Sequence, residues 1–187
     1  MSYKMEALGM LELSSIAVAY QVQDAMLKAS DVELLVARTI CSGKYMIMVG
    51  GQVAAVQASV DAGRGCSREA LIDDLMIPDV DERIFPAISG AVSLTEDDRQ
   101  ALGILEAFSV TAIVEGADAA VKAADVKLFR IHVAMAIGGK GYLMLTGEVS
   151  QVRAGIEAGA IEIGRRGLLV SKVVIPNPEA PLYAEVL

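Results

Sequence analysis

The sequence predicts an α+β protein in which one β-α-β-β-α-β domain occurs twice in tandem. Three observations carry that prediction: an internal repeat, the same apolar periodicity in both copies, and an unusually apolar composition. Residues 7–36 laid over 101–130 at a constant offset of 94 agree at 13 of 30 positions. The offset grows to 96 where Met48 meets Met144, Gly51 meets Gly147 and Ala62-Gly63 meets Ala158-Gly159, and to 98 where Ile77-Pro78 meets Ile175-Pro176. A self-match sustained over a domain length marks a duplication, and the drifting offset marks small loop insertions. Counting glycine with the apolar residues but leaving tyrosine out, about 60% of the 187 positions are apolar, above the roughly 45–50% of an average soluble domain. Part of that surface is expected to meet another chain.

In the first copy the apolar run 8–13 reads as a strand, and 15–29 carries apolar positions at helical spacing with Ser14 or Ser15 as N-cap. Residues 32–40 read as extended, Cys41-Ser42-Gly43-Lys44 turns the chain, and 45–49 completes a hairpin. A second helix over 53–62 is expected to end at Gly63 acting as a C-cap, and 71–77 is the last strand before Pro78. The second copy repeats the order: strand 102–107, helix 111–124, strand 126–137, the turn Gly138-Gly139-Lys140-Gly141, strand 142–146, helix 149–163 and strand 168–175. Each copy is then one sheet with two helices on one face, the ferredoxin-like pattern. The first domain is assigned to 1–78 and the second to 101–187. Residues 79–100, with Pro86, Gly90 and the acidic run Glu96-Asp97-Asp98, read as a linker, and the tail from Pro176 is expected to pack on the surface.

Composition removes several function classes. Sixteen basic against 24 acidic side chains leave a net charge of −8, the wrong sign for a protein that binds by neutralising phosphates, so no nucleic-acid partner is expected. No window approaches the ~18 uninterrupted apolar residues of a membrane span, and the N-terminus lacks a basic stretch followed by an apolar one; a cytoplasmic protein is expected. Two cysteines cannot build the multi-bridge framework of a small secreted fold. The chain has no Ser-His-Asp set, paired-carboxylate constellation or zinc-hydrolase motif, so no catalysis is expected. The glycine-rich turn at 138–141 has neither Walker spacing nor a strand–GxGxxG–helix context and is not read as a phosphate loop.

Ala7-Leu8-Gly9-Met10-Leu11-Glu12, Asp24-Ala25-Met26-Leu27-Lys28-Ala29-Ser30-Asp31-Val32, Ile40-Cys41-Ser42-Gly43 and Gly50-Gly51-Gln52-Val53-Ala54-Ala55-Val56 form an ordered set of motifs. Together they resemble the successive signatures of the bacterial microcompartment shell domain, and the second copy carries most of them. The tandem arrangement with a cysteine in the first turn is most similar to the two-domain trimeric type found in propanediol-utilisation compartments. The resemblance implies a homotrimer whose six domains form a flat pseudohexagonal tile in a microcompartment shell, with other shell proteins and encapsulated redox enzymes as partners. It places Ser42, Gly43, Lys44, Gly138, Gly139 and Lys140 in pore loops at the central axis and Lys28 and Lys122 at tile edges. Some tandem members hold an iron–sulfur cluster through the loop cysteine, so the resemblance implies that Cys41 from three chains holds one [4Fe–4S] cluster per trimer on the threefold axis, for electron transfer across the shell or cluster exchange. Two motifs depart from the family. Single-domain members usually end their last strand Ile-Pro-Arg-Pro, with an arginine that helps tile edges meet, where this chain has Ile77-Pro78-Asp79 and Ile175-Pro176-Asn177-Pro178. Close relatives carry Cys-Pro-Gly-Lys in the loop, where Ser42 here leaves φ free of a proline ring.

The residues alone leave alternatives open. One cysteine per chain cannot hold a cluster, whereas three turns meeting on a symmetry axis bring three thiolates together; a [4Fe–4S] cluster would still need a fourth, non-cysteine ligand. A thiol without metal and zinc on three cysteines plus water are the rivals, and Lys44 is expected to favour the thiolate. Cys66, placed just after the second helix, reads as a small buried apolar residue, and His132 as a structural residue in mid-strand. Lys28 and Lys122 suit the C-terminal dipoles of their helices without any further role. The competing function class is a duplicated small-metabolite-binding regulatory module.

Overall fold

A computed structural model describes residues 5–133 and 137–184, which divide into two units, Met1–Val80 and Asp81–Leu187. Unit 1 begins with β1 (Ala7–Leu13), a strand buried along its whole length. Burial on both faces explains why it reads as a nearly continuous apolar run instead of an alternating one. Ala7, Leu11 and Leu13 join a core with Val22 and Met26 of α1 (Ile16–Ala29) and Val56 and Val60 of α2 (Val53–Ser67). Gly9 lies on the same side because a Cβ there would sit 2.5 Å from the Val60 side chain. Leu8, Met10 and Glu12 point to the opposite face, beside Met46 and Met48 of β3 (Lys44–Gly51). With β2 (Glu33–Ile40) and β4 (Leu71–Pro78) the antiparallel sheet runs β2-β3-β1-β4. The strand β3 inserted between β1 and β2 makes this the expected split β-α-β topology.

Ser15 is the N-cap of α1, its hydroxyl accepting the Val18 N–H at 3.4 Å. The expected end of α2 is corrected. Gly63 does not cap the helix but lies buried inside it, where a Cβ would come within 2.8 Å of Met26 and 2.9 Å of Leu11. The glycine serves helix–helix approach, and the helix runs on through Ser67. Cys66 therefore sits in the last helical turn and not after it.

Unit 2 repeats the topology with β5 (Ala101–Ala107), α4 (Val110–Ala123), β6 (Lys127–Val133), β7 (Gly141–Gly147), α5 (Val149–Arg165) and β8 (Leu169–Ile175), in the order β6-β7-β5-β8. Ser109 caps α4 through the N–H groups of Thr111 and Ala112. Of the strand expected over 126–137, β6 accounts for Lys127–Val133; residues 134–136 of that span lie outside the described residues. Two segments outside the repeat core are built into this unit. Residues 81–100, within the stretch read as a linker, carry a short helix α3 (Ile84–Ser89) that packs on β6 and α4. The tail forms α6 (Pro181–Ala184), from which Tyr183 enters a core with Leu94, Leu102 and Phe129. The Tyr183 hydroxyl donates to the Gln100 carbonyl at 3.0 Å, so the tail packs on the surface as expected, pinned by one buried side chain while residues 176–182 stay exposed or half-buried.

Candidate functional site

The unit 1 hairpin closes in a tight turn, and a turn of like backbone stands just before β7 in unit 2. In unit 1 Cys41–Gly43 forms a single 3₁₀ turn between Ile40 and Lys44, with Ser42 at φ 65°, ψ 28° and Gly43 at φ 72°. In unit 2 the Lys140 N–H donates to the Ile137 carbonyl at 3.3 Å across Gly138 (φ 66°) and Gly139 (φ 86°). Two successive left-handed residues match the right-handed twist of the strands that such a turn joins. Ser42 pays for this geometry with Cβ strain of roughly 1 kcal/mol that Gly138 escapes. A proline at position 42 would need a different turn from this one, because its ring holds φ near −65°. Cys41 corresponds to Ile137: it is the first residue of the turn, half-buried, and neither it nor Cys66 forms a disulfide.

Beneath each turn lies an ion pair that the motif reading did not single out. Lys44 Nζ donates to Glu12 Oε1 at 2.8 Å, and Lys140 pairs in the same way with Glu106. Both carboxylates stand on the central strand, on the face away from the helices, diagonally across from the lysine. Lys44, expected to support a Cys41 thiolate, is thus held by a carboxylate that is only 2% exposed. The overlooked signal was a glutamate at the matched place of an otherwise apolar central strand in both copies.

The other expected positions are separate from the turns. Lys28 and Lys122 lie in the last turns of α1 and α4, each bonded to an aspartate one turn earlier, Asp24 and Asp118, at 2.6 Å. Asp24 is 61% exposed and Asp118 9%. Asp118 also accepts the Asp81 N–H at 2.8 Å. Arg83 then forks onto Asp81 and donates to the carbonyls of Val121 (2.7 Å) and Val126 (3.3 Å), closing the C-terminal end of α4. The guanidinium holds the Asp81 carboxyl below its usual range. His132 stacks on Tyr142 with ring centroids 5.0 Å apart. Cys66 packs against the edge of the unit 1 core and lines a surface cleft with Ser14, Val18 and Arg68. Among the described residues no group of three or more His, Cys, Asp or Glu within one chain could hold a metal ion, and no helix is long and apolar enough to cross a membrane.

Comparison with known proteins gives these features a common setting. The BMC domain model matches residues 7–80 and again 101–178. The chain is 43% identical over 182 residues to the bacterial microcompartment shell protein PduT of Citrobacter freundii, covering 97% of this chain and 98% of that protein. The crystal structure of a microcompartment protein from Desulfitobacterium hafniense superposes with a TM-score of 0.90 at 43% identity, covering 97% of this chain and 99% of the other. The fused permuted hexameric shell protein of the RMM microcompartment shares the fold, with a TM-score of 0.61 at 20% identity over 84% of this chain and 81% of that one. PduT is described as a shell protein, which favours a structural role over a regulatory metabolite-binding module. The chain belongs to the bacterial microcompartment shell proteins, as a member with two BMC domains in tandem.

Proposed function

We propose that this shell protein assembles as a homotrimeric pseudohexagonal tile whose Cys41 turns meet on the threefold axis and together hold one [4Fe–4S] cluster. The observation that carries this reading is the placement of Cys41 at the tip of the unit 1 hairpin, half-buried, on a turn whose unit 2 counterpart has Ile137. A single chain offers one thiol at that tip, which fits a cluster only when symmetry multiplies it. Three thiolates leave one iron to a non-cysteine ligand. When bound, the cluster supplies one-electron chemistry across the shell or exchanges as a unit. The chain's own residues do the positioning: Ser42 and Gly43 reverse the backbone, and the Glu12–Lys44 pair ties the turn to the sheet. Ser42, Gly43, Gly138 and Gly139 line the axial opening, and Lys28 and Lys122 act where tiles meet. Encapsulated redox enzymes would be the electron partners.

The test is anaerobic reconstitution followed by native mass, iron and sulfide analysis. Wild type and Cys66→Ala are expected to give a trimer with about four iron atoms and reduced-state EPR, and Cys41→Ala a trimer with none. A trimer that takes up no iron, or a Cys41→Ala protein that keeps its cluster, defeats the cluster reading, and a monodisperse monomer defeats the tile. For the edges, Lys28→Ala with Lys122→Ala is expected to lower two-dimensional array yield while leaving the trimer intact; unchanged arrays would remove the two lysines from the tile edge.

A further inference from the structure

The duplication allows an internal contact to be read as the template of an external one. At an offset of 98, α6 and the residues before it correspond to α3 and its lead-in: Glu179 matches Asp81, Pro181 matches Arg83 and Leu182 matches Ile84. The backbone turns agree, since the Ile84 N–H donates to Asp81 O at 3.1 Å and the Leu182 N–H to Glu179 O at 3.0 Å. Their surroundings differ. Ile84 is 0% exposed, while Leu182 is 46% exposed.

The same contrast holds for the surfaces such a turn could cover. The end of α4 and the start of β6 are packed under 81–89, with Val121, Val126 and Leu128 buried. Their repeat equivalents Leu27, Val32 and Leu34, at the end of α1 and the start of β2, are exposed or only half-buried. Asp118 accepts the Asp81 N–H, whereas its equivalent Asp24 is bonded to Lys28 at the open surface.

We infer that the α6 turn of one copy docks on the α1–β2 end of the next copy, reproducing between chains the contact that α3 makes on α4 and β6. Leu182 covers Leu27 and Leu34, and Asp24 accepts the Glu179 N–H. Lys28 keeps access to solvent in this arrangement, as Lys122 does beside the docked 81–83 segment. Pro181 stands where Arg83 stands and carries no donor, so the contact between chains lacks the guanidinium clamp that closes α4. The inference rests on the trimer proposed above and names the elements that close it.

The experiment is a directed disulfide. Asp24→Cys with Glu179→Cys is made in a chain carrying Cys41→Ala and Cys66→Ala; both new thiols are at exposed positions. Mild oxidation is expected to give a covalent ladder ending at the trimer on a non-reducing gel, while each single cysteine gives no species beyond a dimer. Separately, Leu182→Asp is expected to weaken the trimer at least tenfold by native mass with an unchanged circular dichroism spectrum. A trimer by native mass that fails to cross-link, or that withstands Leu182→Asp, overturns this contact and leaves the trimer standing. A monomer by native mass overturns both.

Discussion

Glu12 and Glu106 stand at the same place in two copies of one sheet and pair with the same lysine of the same turn, yet Glu12 is 2% exposed and Glu106 32%. Asp24 and Asp118 show the opposite bias, open in unit 1 and covered in unit 2. The unit that buries the ion pair under its turn leaves its helix end bare, and the unit that seals its helix end leaves its turn pair half in water. A duplicated fold thus distributes burial by location: unit 1 is anchored at the hairpin and open at the helix end, unit 2 the reverse. Equivalent positions then have unequal energies, which mutation pairs can measure.

The largest contrast is expected at the ion pairs. Removing one partner of a buried pair leaves an uncompensated charge and costs on the order of 3 kcal/mol; a half-exposed pair costs about 1 kcal/mol or less. Lys44→Ala, which strands the buried Glu12 carboxylate, should therefore lower stability far more than Lys140→Ala in urea unfolding, and equal losses would break the comparison. Next comes the reverse contrast. Asp118→Ala orphans the Asp81 N–H and the Lys122 ammonium and is expected to cost roughly 2 kcal/mol, whereas Asp24→Ala, in water, should change stability by no more than about 0.5 kcal/mol. Differential scanning calorimetry of the two variants side by side decides it.

The turns sharpen the comparison from a third direction. Ser42→Gly should raise stability by about 1 kcal/mol by removing the left-handed Cβ penalty, and Ser42→Pro should lower it by roughly 2 kcal/mol because φ cannot reach +65°. Gly138→Ala should approach the cost that Ser42 already bears. The smallest effect is a pH dependence confined to unit 2. Lys127, followed by the Thr95 N–H and hydroxyl, holds the Asp98 carboxyl down to about 2, while unit 1 has Glu33 at the position of Lys127. A lowered folded-state pKa stabilises fully above the ordinary carboxylate value and is lost as pH falls through the folded one. The Tm gap between wild type and Asp98→Asn should accordingly be open at pH 6 and close between about 4 and 2; a gap independent of pH would remove Asp98 from the account.

Most of the fold was legible because it rests on local periodicity and on a repeat that confirms itself. The positions of β1, α1 and the Cys41 turn follow from apolar spacing, a serine cap and a glycine-containing turn, signals carried within a few residues. Gly63 misled because a glycine near a helix end signals a cap locally, whereas its use here is set by Met26 and Leu11, which only packing brings near. Residues 81–89 were opaque for a related reason. Asp81 and Arg83 act on α4 and β6 about 40 residues away, and the repeat offers no hint because their counterparts are Glu179 and Pro181. At the candidate site, Cys41 and Lys44 were legible as a turn. Glu12, the carboxylate that neutralises Lys44, lay hidden in a strand whose burial argues against charge.

Tyr183 gives unit 2 a timetable. Its hydroxyl bonds the Gln100 carbonyl across a separation of 83 residues, and its ring completes the layer over Leu102 and Phe129. During synthesis that layer cannot close until Tyr183 has been added, which at roughly 5–20 residues per second is about 4–17 s after Gln100. For that interval the apolar layer of Leu102 and Phe129 stands without its cover. The order of emergence therefore makes the tail a late seal and sets a short window in which unit 2 is most prone to associate wrongly.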